Sequence, residues 1–187
     1  MTRLTRIATS LDRIIVGTGR AAAWAGLLLV LVTIADVTMR SATQSSWDFL
    51  RALSAAQQAA FGSTQLQELE WHLHTVLFLF CLGYAYVKGA HVRIDLVRER
   101  LGPRTRAIIE ILGVALFLLP FCALVIAYGI DFALASFEQG EGSASGGGLG
   151  HRWIIKAALP VGVALLALSG IASLLRNLAA LTTRSDP

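Results

Sequence analysis

The stretch "YVKGAHVRIDLVRERLGPRTR", Tyr86–Arg106, stands between two long apolar runs and holds six basic side chains, Lys88, Arg93, Arg98, Arg100, Arg104 and Arg106. Those bases alternate with Val, Ile and Leu. A soluble protein would place such a segment in water; a membrane protein would place it against phospholipid headgroups. Its flanks decide between the two. Four apolar runs occur, at 21–39, 71–87, 107–130 and 153–175. Crossing a hydrocarbon core of ~30 Å takes roughly 20 helical residues. The second run is the shortest. It extends back to about residue 66, because Thr64 and Gln67 have capping-box spacing just before it. Backbone groups inside lipid must be satisfied within the segment, so each run is expected to be a helix.

Composition agrees. Of the 187 residues, 55% are hydrophobic and 15% charged, against roughly 25% charged in a soluble domain. The predicted fold is an all-α membrane protein, one integral domain over 1–187. Its transmembrane helices are expected at about 21–39, 66–87, 107–130 and 153–175. The net charge of +4 is carried by bases beside apolar runs. That pattern suits anionic phospholipid and not nucleic acid. Cys81 and Cys122 both lie inside apolar runs and are read as packing residues.

Orientation follows from Lys and Arg in the short flanks. Segments 1–20, 88–106 and 176–187 together hold twelve, whereas 40–70 and 131–152 hold three. Both termini and the 88–106 connection are therefore expected in the cytoplasm. A basic N-terminus before an apolar run also fits a signal peptide, but no small-x-small cleavage pattern follows, which favours an anchor.

Amphipathic segments flank the spans. Leu4, Ile7, Leu11, Ile14 and Ile15 recur at helical spacing, with Arg3, Arg6 and Arg13 mostly elsewhere on the wheel. This predicts a helix lying in the headgroup plane. A disordered basic tail is the alternative. In the 88–106 loop Ile94, Val97 and Leu101 form a stripe. Lys88, Arg93, Arg98, Arg100 and Arg104 are placed to reach phosphates, and His91 and Asp95 stand one turn apart. A second interfacial helix is expected there, ended by Gly102-Pro103. On the far side, residues 45–62 read as a short helix with Ser45 and Asp48 at capping-box spacing and Gly62 as its stop. The Gly/Ser-rich "EQGEGSASGGGLG", residues 138–150, is expected to be mobile unless a partner orders it.

Ionisable residues in spans are functional candidates. Asp36 has Arg40 at i+4, Glu110 falls in the first turn of the third run and Lys156 in the first turn of the fourth. None is near mid-membrane, where a transporter's substrate site would require polar groups or broken helices. Glu70, Trp71, Arg152 and Trp153 mark helix entries on the far side. His72 and His74 are i and i+2, which point about 200° apart on a helix and cannot face one ion. A four-helix redox protein binding haem or quinone is the alternative they raise. The "GTG" at Gly17–Gly19 follows no strand and is no nucleotide fingerprint.

The order of these signals resembles the small membrane subunit (DctQ type) of tripartite ATP-independent periplasmic (TRAP) transporters. The pieces are "ADVTMR" (35–40), Glu70-Trp71, "GAHVRIDL" (89–96), Pro103-Arg104 and "GGLGHRWIIKAALPVG" (147–162). The likeness runs from about Arg20 to Leu178. "RWIIKAALP" resembles a branch that handles small organic anions; that branch carries prolines where this chain has Gly146 and Gly150. The resemblance implies a multi-span large subunit that holds the substrate and sodium sites, and a periplasmic substrate-binding protein. It implies a non-catalytic scaffold role here, with no cofactor, metal or substrate ligand in this chain. Asp36, Arg40, Glu70, Trp71, His91, Asp95, Arg152, Trp153 and Lys156 then become structural or subunit-interface candidates.

Overall fold

The computed structural model describes residues 3–90 and 101–183. The expectations for His91, Arg93, Ile94, Asp95, Val97, Arg98 and Arg100 lie outside the described residues. Among those described, five helices and no strand are found: α1 (Arg3–Ala42), α2 (Asp48–Ala60), α3 (Ser63–Val87), α4 (Pro103–Glu138) and α5 (Trp153–Thr183).

α1 is one helix of 40 residues, about 60 Å long. The separate surface helix expected before Ala21 is instead the first half of this rod. Nothing in 3–20 can break it, since no proline occurs there, and Gly19 serves close packing against the Tyr84 side chain. The apolar stripe divides: Ala8 and Ile15 are fully buried, whereas Ile7 and Ile14 face outward.

Three helices, α1, α4 and α5, are long and apolar enough to cross a membrane. Four were expected. α3 has 25 residues, but Glu68, Glu70, His72 and His74 lower the apolarity of its first half.

α5 is the hub. It packs on α1, α3 and α4, while α4 rests chiefly on α5 and α2 chiefly on α1. Side chains of glycine size permit the close approach. A Cβ at Gly83 would stand 2.8 Å from the Leu165 carbonyl oxygen, and one at Gly162 would stand 2.6 Å from the Leu79 Cβ. Dispersion between closely packed backbones, not water exclusion, holds such seams in lipid. Cys122 is buried and the Cys81 Sγ approaches the Gly19 carbonyl, so both cysteines pack as expected.

The local signals are partly as read. Pro103 opens α4 with Gly102 as its N-cap. A π-helical turn, Val114–Leu118, ends two residues before Pro120; Pro120 cannot donate to the carbonyl four residues earlier, and the wider turn absorbs the defect. The Ser45–Asp48 capping box does not form. Trp47 is the N-cap of α2, and its N–H donates to the Ser45 Oγ at 3.2 Å. Nor does Thr64 cap α3; Gly62 holds that position. Glu110 lies two turns into α4, not in its first turn, because the helix begins at Pro103.

Candidate functional site

The two ends of the bundle differ in chemistry. One end, the terminal end, holds Arg3 and Thr183, the close of α3 and the start of α4. The other holds α2 and the 139–152 connection, a strap joining α4 to α5.

The strap is tied down through one carboxylate. Glu68, buried in the second turn of α3, accepts hydrogen bonds from the Ser143 hydroxyl, from the Leu149 N–H at 2.6 Å and from Arg152 Nη2 at 3.0 Å. Gly148 passes so close that a Cβ there would collide with Glu68 and Ser143. A second tie runs along the strap: Glu141 pairs with Lys156, and its backbone carbonyl accepts from the Arg152 N–H at 3.0 Å. The Lys156 ammonium beside Glu141 holds that carboxyl below the usual carboxylate range. The expected mobility is therefore replaced by a closed loop, as buried donors and acceptors find partners inside the chain.

Aromatic rings support the same cations. The Arg152 guanidinium lies 5.7 Å from the Trp71 ring centre, and the Lys156 Nζ lies 3.9 Å from that of Phe132. Trp153 meets Phe137 edge to face at 5.4 Å. Of the candidates read from sequence, Trp71, Arg152, Trp153 and Lys156 thus converge on the strap. Glu70 does not: it is half-buried, and its Oε1 has no hydrogen-bond partner. The chemistry falls to Glu68, two residues earlier.

Asp36 and Arg40 form a neighbouring cluster. Asp36 is buried, pairs with Arg40 and accepts from the Ser63 hydroxyl at 2.9 Å. The Gln67 side-chain oxygen accepts from Arg40 Nη2 at 2.6 Å. The Ser54 hydroxyl donates to the Met39 carbonyl at 2.9 Å and fastens α2 back on α1. These contacts fix where α1 ends and α3 begins.

At the terminal end Asp12 of α1 pairs with Arg176 of α5, a link sequence reading missed. The Tyr86 hydroxyl donates to Glu110 at 3.3 Å. Lys88 lies over the Tyr84 ring at 5.9 Å. Arg3, Arg6, Arg13 and Arg104 are exposed.

The three described histidines make no ligand set. His72 Nδ1 donates to the Glu68 carbonyl, His74 is exposed on another face and His151 is exposed in the strap. Among the described residues no group of three or more His, Cys, Asp or Glu could hold a metal ion. What the arrangement can do is mechanical. Ion pairs and hydrogen bonds fix the ends of α1, α3, α4 and α5 relative to one another.

Comparison with known proteins gives a family. The family model for "Tripartite ATP-independent periplasmic transporters, DctQ component" matches residues 29–180. No curated protein and no solved structure matches the chain.

Proposed function

Since the chain belongs to the DctQ family, the small membrane component of tripartite ATP-independent periplasmic transporters, we propose that it is the static frame on which the large membrane subunit moves its cargo. It is an inner-membrane protein with three helices able to span by length and composition. On our reading α3 is a fourth span. From Glu68 to Lys88 it rises about 30 Å, and α5 rises about the same from Lys156 to Arg176. Both values equal the hydrocarbon thickness. The ion pairs Glu68–Arg152 and Asp12–Arg176 put charges of different helices at matching levels at the two ends. The composition of α3 falls short because its polar residues gather at one end and not at mid-depth.

The exposed bases of the terminal end belong in the cytoplasm, by the positive-inside rule. The strap and α2 then face the periplasm. There they would form part of the surface on which the substrate-binding protein docks. The substrate, a small organic anion taken up with sodium, would be handled by the large subunit. The observation that carries this reading is the tied strap: a Gly/Ser-rich loop ordered by a buried carboxylate is a fixed surface, which a docking partner can use without ordering cost.

Stoichiometric co-purification with a multi-span partner is expected, together with loss of uptake when the chain is omitted. Uptake by this chain alone in vesicles would defeat the proposal. A Soret band in the purified chain would revive the redox alternative.

A further inference from the structure

We propose that a cleft beneath the strap binds one zwitterionic phospholipid of the outer leaflet. The cleft lies between α3 and α5, with Phe132 of α4 on its rim, and encloses about 440 Å³. Its lining is divided by chemistry. Arg152 and Lys156 stand at the strap end, beside Trp71; His74 and Thr75 follow one turn down, and Phe78, Leu79 and Leu159 form the deeper part. That division matches a headgroup above an acyl chain.

The cations keep donors to spare. Arg152 gives one Nη2 hydrogen bond to Glu68, and a guanidinium carries five N–H donors. Lys156 gives one hydrogen bond to Glu141, and an ammonium carries three. A phosphate can therefore accept from both side chains without displacing either carboxylate. Because Glu68 and Glu141 already balance the two cations, the rim is close to neutral overall. A zwitterionic headgroup suits it, its phosphate toward Arg152 and Lys156.

The other natural occupant, a partner helix, would use the cleft over only part of its length. The lining spans Trp71 to Leu79 on α3 and Arg152 to Leu159 on α5, a rise of about 12 Å or less. One leaflet of hydrocarbon is about 15 Å deep, and a spanning helix needs the full ~30 Å. The cleft is long enough for a headgroup and the upper part of a chain. The site uses the membrane placement of α3 proposed above, but not the docking role.

The test is native mass spectrometry with lipid extraction on the complex purified in mild detergent. Wild type and the control Leu31→Trp, on the exposed face of α1, should each retain one phospholipid per chain. Leu159→Trp fills the cleft and should lower that occupancy at least tenfold; if it fails to assemble, Lys156→Gln carries the same test. Added short-chain zwitterionic phospholipid should rebind saturably to delipidated wild type, and inorganic phosphate should not compete. Equal retention in wild type and the cleft variants, or no retained phospholipid in wild type, would overturn the proposal. So would a structure of the complex with a protein helix seated there. Each result reads lipid occupancy, so failure of the docking role would leave it unaffected.

Discussion

The two ends of this bundle use their charges differently. At the strap end Asp36, Glu68, Glu141, Arg152 and Lys156 are paired and largely withdrawn from water. At the terminal end Arg3, Arg6, Arg13, Lys88 and Arg104 are exposed. Withdrawn charges determine shape, because each demands a partner at a fixed place. Exposed charges determine attraction and orientation, because they act on the membrane field at a distance. The same residue types therefore build a rigid surface on one side and an anchor on the other.

If that contrast holds, substitution should cost folding at the strap end and lipid response at the terminal end. The largest effect is expected for Glu68→Ala. Removing one partner leaves Arg152 without its carboxylate, and the Ser143 and Leu149 donors lose their acceptor as well. Two changes should be seen: a lower melting temperature for the complex, and a spin label at the exposed strap position Ala144→Cys that turns from restrained to mobile. An immobile label in the variant would break the contrast. Gly83→Val comes next, at about 1–3 kcal/mol for overpacking against the Leu165 backbone; it should separate α3 from α5 without loosening the strap. Asp36→Ala should cost about 1–3 kcal/mol, since Arg40 and Ser63 lose a buried acceptor, and should leave the sodium stoichiometry of uptake unchanged.

At the terminal end, Arg3, Arg6 and Arg13 changed together to Gln should leave the fold intact. Affinity for anionic lipid should fall, by about 1 kcal/mol per base, and with it the gain in melting temperature that such lipid gives. The smallest effect is pH-dependent. Lys156 holds Glu141 below the ordinary carboxylate range, so this tie is complete above that range and is lost as pH falls through the depressed value. The Ala144→Cys label should gain mobility only on that acid side. Loosening toward alkaline pH, with Lys156 still charged, would have the wrong sign.

Much of the spanning architecture could be read from the sequence because hydrocarbon imposes a length and excludes charge. α4 starts at Pro103, as helix-start chemistry requires, and α5 at Trp153, where the apolar run begins. Asp36 and Arg40 were legible as an i, i+4 pair. The rest depended on distance. Glu68 meets Ser143 and Arg152 across 75 and 84 residues, and nothing local separates it from Glu70, which has the same charge two positions on. Asp12 and Arg176 pair over 164 residues. The N-terminal stripe misled for another reason. Leu4, Leu11 and Ile15 suit a helix packed on protein as well as one lying on lipid, and only α3 and α5 alongside decide between them. Composition likewise described the strap as loose, since Gly and Ser carry no sign of the carboxylate that orders them.

The frame role is tested most directly by one distance. Labels at Ser10→Cys and Ala144→Cys, in a chain lacking Cys81 and Cys122, would span α1 and the strap within the assembled transporter. Double electron–electron resonance should give the same single distance with substrate and sodium present, with both absent, and with the binding protein docked. A distribution that moves by several ångströms between those states would contradict a static frame.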